Sequence, residues 1–177
     1  MKKQPKQDQA VDYVDRDHAI SDSLDSFAAN LTTNAAKART DLVDVVFQSC
    51  EKPQAFEWRT HAQLAIALGD IRSRDGLLRK LHDNPEARSS FQAHLTTEIE
   101  RAQEAYVAPF ATVIAGIAWL DGDGEFAAVM VDRALNADSA YSLAQLLDIA
   151  LRHDVPSYIW SQSLEAVSYE SCIAGAA

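Results

Sequence analysis

The sequence predicts an all-α protein, and three observations carry that expectation. Gly and Pro number only 6 and 5 in 177 residues, too few to turn a chain of short strands at the intervals strands require. Apolar residues recur every three to four positions over most of the chain, the period of one helix face. No segment sustains the every-second-residue alternation of a half-buried strand. With 47% apolar residues, the length suits one domain with its own core. The expected arrangement is a single irregular bundle of about seven helices over residues 19–177, preceded by a disordered polar tail, residues 1–18.

The tail carries Lys2, Lys3 and Lys6 and shows no apolar periodicity, so it is expected to fray. From Ser21 or Asp22, either of which suits a helix cap, the residues Leu24, Phe27, Ala28 and Leu31 follow helical spacing. Thr32-Thr33-Asn34 weakens that run before Leu42, Val45 and Val46 resume it towards Cys50. One bent helix and two separate helices fit this stretch equally. Pro53 suits the first turn of the next helix, which carries Trp58, Ala62, Ala65, Ile66 and Leu68 and ends near Gly69. A short helix is expected over 74–81, with Leu77, Leu78 and Leu81 on one side.

Asn84-Pro85 is a helix start, Asn as cap and Pro in the first turn. The stripe that follows, Phe91, Leu95, Ile99, Ala102 and Tyr106, is narrow and predicts a helix at the bundle surface. Pro109 starts or kinks the next element, which repeats at Phe110, Val113, Ile114, Ile117 and Ala118. Residues 125–136 are apolar nearly all round (Phe126, Val129, Met130, Val131, Ala134, Leu135), a pattern that predicts a central helix. The clearest amphipathic helix lies over 139–152, with Leu143, Leu146, Leu147, Ala150 and Leu151. A last short helix follows Pro156 and presents Ile159, Trp160, Leu164 and Val167.

Charge narrows the functional classes. Net charge is −10, and residues 107–177 hold nine acidic side chains against Arg133 and Arg152 alone, a balance of −7. Such a field repels nucleic-acid phosphates and anionic lipids, so direct nucleic-acid binding is not expected. No apolar run is long enough to span a bilayer, and the polar start MKKQPKQDQA lacks the apolar stretch of a signal peptide. The expectation is a cytoplasmic protein with no membrane partner. Cys50 and Cys172 lie far apart and form no CxxC pair, which predicts reduced thiols.

Several residues also carry a resemblance. Leu68-Gly69-Asp70, Arg74-Asp75-Gly76-Leu77-Leu78 and Ala118-Trp119-Leu120-Asp121-Gly122-Asp123-Gly124 form its first part. Ala127, Ala134-Leu135, Asp138, Tyr141, Leu143-Ala144, Leu146-Leu147, Pro156 and Trp160 complete it. Over about residues 60–165 the chain resembles an actinobacterial family described as a domain of unknown function, DUF4192. Longer members of that family carry an N-terminal α/β half, and this chain resembles only their helical C-terminal part. The resemblance implies a fold and a bacterial origin, and it implies no catalytic residues. It marks Arg74, Asp75, Trp119, Gly122, Asp123, Gly124 and Trp160 as positions of possible importance.

Two constellations invite chemistry. Asp121-Gly122-Asp123-Gly124-Glu125 offers carboxylates at alternate positions, as a calcium loop does. The count then fails, because Phe126 stands where the loop requires glycine and the following residues are helical and apolar. The structural reading has Gly122 and Gly124 supplying unusual backbone angles, Asp123 capping the new helix and Glu125 complementing its dipole. Arg74-Asp75 could grip an anion. The alternatives are a salt bridge, or a cap by Asp75 on the Leu77–Leu81 helix.

His18, His61, His82, His94 and His153 show no metal-ligand spacing, and no nucleophile motif is present. Trp58, Trp119 and Trp160 sit at helical apolar positions and suit core packing or a pocket wall. Ala127 and Ala134, seven apart and followed by Leu135 and Asp138, resemble the second helix of a tetratricopeptide unit. This gives the C-terminal region a tetratricopeptide-like helix pair, although no 34-residue period recurs.

The leading functional expectation is a non-catalytic protein-interaction or scaffold domain of bacterial, phage or plasmid origin. It would pair with itself or with another protein, without a metal or cofactor. The alternatives are an enzyme or enzyme subunit with a polar site at Arg74, Asp75, Asp121 and Asp123, and an acidic protein that imitates DNA.

Overall fold

The structure, a computed structural model, describes residues 7–51 and 57–174. Pro53 and the tail residues Lys2, Lys3 and Lys6 lie outside the described residues. Every regular element among the described residues is helical: α1 (Gln7–Glu51), α2 (Trp58–Gly69), α3 (Ile71–Asp83), α4 (Pro85–Glu98), a 3-10 turn (Ile99–Arg101), α5 (Glu104–Leu120), α6 (Gly124–Ala137), α7 (Ser142–Arg152), α8 (Ser157–Glu165) and α9 (Tyr169–Ala174). The all-α architecture is the one the sequence predicts. The short α9 comes in addition, because its sequence offers no apolar stripe and buries only Ile173.

α1 starts well before the expected boundary and runs unbroken through Ser21 and Asp22, so neither caps it. The segment expected to fray is helical from Gln7 and is tied down by its neighbours. Arg16 donates to the carbonyl of Arg101 at 3.2 Å, and Gln103 donates to the Asp17 carboxylate at 2.6 Å. Both partners lie at the junction of α4 and α5, where helix ends leave backbone groups unfilled. The weak point at Thr32-Thr33-Asn34 proves to be a break of one residue. Asn34 is extended (φ −157°, ψ 94°) between two helical halves, and its side chain accepts from the Lys37 N–H at 3.0 Å. Thr32 and Thr33 close the preceding half by donating to the carbonyl of Ala29 at 2.7 and 3.3 Å.

Asp70 both ends α2 and starts α3. Its N–H donates to the carbonyl of Ile66 at 2.9 Å, while its carboxylate accepts from the Ser73 N–H and hydroxyl, each at 2.8 Å. The cap of α3 is therefore Asp70, not Asp75, and the helix starts three residues earlier than the apolar run suggested. Burial pushes the Asp70 carboxyl up, but the Ser73 N–H and the Arg39 guanidinium outweigh it and hold the group below its ordinary value. Pro85 opens α4 as expected. Asn84 occupies the cap position without a capping bond, because its amide donates to the carbonyl of Lys80 at 2.7 Å and closes α3 instead.

The core is built round α5. Every residue from Ala108 to Trp119 is buried, so α5 rather than α6 is the central helix. α6 buries only Ala127, Met130, Val131 and Ala134, and Val129 is 61% exposed. Composition misled here because α6 is apolar on its outer face as well. Pro109 lies inside α5, which already begins at Glu104. Proline cannot donate to the carbonyl four residues back, and the break in the Phe91–Tyr106 stripe instead falls at residues 102–103. α5 and α6 form the most closely packed sequential pair, joined by the Asp121–Asp123 corner. The fully buried Ala127 and Ala134 let the two backbones approach, since interaxial distance follows side-chain size at the contact.

Candidate functional site

Of the motif positions, Arg74, Asp75 and Trp160 line one cleft and Trp119 and Gly124 a second, while Gly122 and Asp123 line neither. The first is a groove of about 640 Å³ between α3, α7, α8 and α9. Leu78, Leu143 and Trp160 line it, and Ile71, Leu146 and Val167 stand at its edges. Ile71 is 61% exposed and Leu146 64%, high values for large apolar side chains beside a groove. α7 has the sharpest apolar stripe, yet it buries only Ala144 and Leu147. Leu143, Ala150 and Leu151 of that stripe are half-buried against the core, while Leu146 at its edge and Ile149 outside it are turned to solvent.

Arg74 and Asp75 form one wall of the groove. The Arg74 guanidinium is buried and donates twice to one Asp75 oxygen, at 2.9 and 2.7 Å. Its remaining arm donates to the Tyr141 hydroxyl at 2.8 Å, which joins α3 to the start of α7. Burial disfavours the charged guanidinium, but Tyr141 and Asp75 outweigh burial and hold its pKa above the ordinary value. Arg74 is thus a structural cation with filled donors. Arg72 lines the same groove and takes part in no ion pair among the described residues.

Trp160 forms another part of the lining. Its indole N–H donates to the carbonyl of Gly116 at 3.1 Å, and its ring lies nearly parallel to Trp119, with centroids 6.1 Å apart. Trp119 is buried in α5 and in turn lines the second cleft, about 690 Å³ beside the Asp/Gly corner. The two tryptophans therefore stand between the clefts, one facing each.

At the corner, Asp123 caps α6 by accepting from the Phe126 N–H at 3.0 Å, as the sequence suggested. Asp121 pairs with Arg88 of α4 at 2.9 Å. Gly122 adopts φ +85°, a conformation that side chains resist, whereas Gly124 lies in α6 without a positive φ. Only the first glycine is required by backbone geometry. Both aspartates thus have protein partners, and the described residues gather no group of three ligating side chains. Arg74 and Asp75 share neither cleft with Asp121 or Asp123.

Sequence reasoning missed a buried polar pair elsewhere. His61 Nδ1 lies 2.7 Å from Glu98 Oε2, both side chains almost fully enclosed. Phe110 stacks on the imidazole at 5.9 Å and Trp58 meets it edge-on at 5.4 Å. Nearby, burial holds His94 below the ordinary histidine value, with Glu98 opposing the shift and His61 adding to it. Burial likewise pushes the Cys50 thiol up to about 12, far from the reactive thiolate range. A signal for Glu98 was present: it lies seven residues after Phe91 and three after Leu95, so a carboxylate sits on the apolar face.

Among known proteins, the family described as Domain of unknown function (DUF4192) matches residues 2–157. The match reaches beyond the corner and its flanking helices to take in α1, which the motif resemblance did not include. No curated protein and no solved structure matches the chain. The chain belongs to the DUF4192 family.

Proposed function

We propose that this DUF4192 domain is a non-catalytic protein-interaction module whose docking surface is the groove between α3, α7, α8 and α9. The carrying observation is the exposed apolar edge formed by Ile71 and Leu146 beside the partly buried Trp160. Contiguous apolar surface at a concave site favours a partner that covers it. Arg72 adds a cation at the same groove, which complements a partner segment carrying a carboxylate beside its apolar residues. Support also comes from the motif: Arg74, Asp75, Leu143, Leu146 and Trp160, all part of the family resemblance, line this groove.

The enzyme alternative draws less support, because only Arg74 and Asp75 line the groove, Asp121 and Asp123 line neither cleft, and all four have protein partners. No described helix is long and apolar enough to cross a membrane. Together with the motif resemblance this favours a bacterial cytoplasmic setting, in an actinobacterial host, with the chain corresponding to the helical part of longer family members.

The test is affinity capture from the native host with the wild-type chain and with Leu146→Asp and Ile71→Asp. Both substitutions lie at exposed positions and should preserve the helical circular dichroism. The proposal requires that proteins retained by the wild type be lost with either variant. An identical set of bound proteins for all three chains would overturn it.

A further inference from the structure

The first half of α1 is joined to the rest of the molecule in an unusual way. Residues 7–33 form one long helical arm, residues 35–51 another helix, and Asn34 is the single non-helical residue between them. Helix pairs in compact domains ordinarily turn through loops of two or more residues. Here the change of direction rests on one extended residue, the Asn34 cap on Lys37 and the two threonine bonds to Ala29.

The arm is lightly seated. Of its side chains from Tyr13 onward, only Ile20 is buried. Between the arm, the second half of α1 and α2 lies a cleft of about 490 Å³, bordered by Phe27, Leu42, Val45 and Ile66. At its far end the arm is fixed by Arg16 and Asp17 to backbone and side-chain groups at the α4–α5 junction. All these contacts join the arm to a surface beyond the hinge. A second copy of the chain offers the identical surface.

We propose that the chain self-associates by exchanging this arm: α1 straightens through Asn34, and residues 7–33 dock on the partner copy in place of its own arm. The exchange preserves the arm's contacts and changes only the conformation about one residue. Straightening loses the Asn34 cap, but it lets backbone N–H and C=O groups on either side of the break enter one helical ladder. Exchange of identical elements is a low-cost route to a dimer for this reason. Cis and trans forms are then separated by the hinge preference and by protein concentration. This inference does not involve the α3–α7–α8–α9 groove, and neither reading depends on the other.

The experiment compares molar mass by light scattering after size exclusion for the wild type, Asn34→Ala, and a chain with three glycines inserted after Asn34. Alanine favours the straight helix, so Asn34→Ala should run at twice the 19.4 kDa chain mass. The wild type should gain dimer as concentration rises. The glycine insertion lets the arm close on its own chain and should shift the population to monomer, with circular dichroism confirming that all three are folded. A wild type and Asn34→Ala that both stay monomeric throughout would overturn the proposal. So would a dimer that survives the glycine insertion undiminished, since that dimer would form through another face.

Discussion

At the scale of single residues, the Asp/Gly corner shows how similar letters carry different physical duties. Gly122 and Gly124 look interchangeable in the sequence, yet only Gly122 holds a left-handed backbone angle, φ +85°. A side chain there is strained even though nothing lies within 4 Å of an added Cβ. Gly122→Ala should therefore destabilise the fold by about 1–2 kcal/mol. Gly124 begins α6 with equally open space around it. Gly124→Ala should be neutral or stabilising by up to about 1 kcal/mol, through reduced freedom of the unfolded chain. Urea unfolding of the two variants beside the wild type checks the pair, and equal losses would contradict this account of the corner. The cap supplied by Asp123 was legible because the residue type and position alone define it. The duty of Asp70 was hidden, because a cap that also ends the preceding helix looks like part of a Leu-Gly-Asp motif. His61 and Glu98 were obscured for a different reason: thirty-seven residues separate them, and only tertiary packing brings them together.

At the scale of helices, periodicity located most elements but ranked two of them wrongly. Apolar residues on every side suggested that α6 was central, while Pro109 suggested a boundary in what became the central helix. The proline is tolerated because α5 is held by burial along its length, and tertiary packing overrides local propensity. α6 can remain apolar outside because exposed aliphatic residues are common on protein surfaces. The energetic consequence separates the two helices. Phe110 in α5 is fully buried, whereas Val129 in α6 is 61% exposed. Phe110→Ala should cost about 3–5 kcal/mol from lost transfer energy and the cavity left behind. Val129→Ala should stay within about 0.5 kcal/mol of the wild type. Denaturant midpoints measure both, and a large loss at Val129 would show that a second surface covers α6 in solution. α7 extends the same lesson to the candidate site. Its stripe was legible, but a stripe states only that apolar residues share a face. Whether the protein's own core covers the whole of that face depends on the neighbours, and here Leu146 is left outside.

At the scale of the whole molecule, burial is graded from the inside outward, and stability should follow the same gradient. α5 contributes a continuous buried run, Ala108 to Trp119, and contacts α2, α3, α4, α6, α7 and α8. Its amides can exchange with solvent only when much of the core opens. α8 buries no residue completely and is held by Trp160 and by Arg79, which donates to the carbonyl of Leu164 at 2.8 Å. The first half of α1 hangs on Ile20 and the bonds at Arg16 and Asp17. Local opening free energies fall where few apolar contacts must be broken. Native-state hydrogen exchange should therefore rank α5 slowest, the buried faces of α2 and α3 next, and α8 with residues 13–33 fastest. If the arm exchanges between copies, its protection should rise with protein concentration, while that of α8 should not. Mass action acts on the arm because the dimer retains its contacts in trans, whereas α8 meets the same neighbours in monomer and dimer. Concentration-independent protection of residues 13–33 in the wild type, across a range where the molar mass doubles, would place the dimer contact elsewhere. Uniform protection from α1 to α8 would instead mean that the molecule opens as one unit, with the shallow seating of the arm immaterial to its stability.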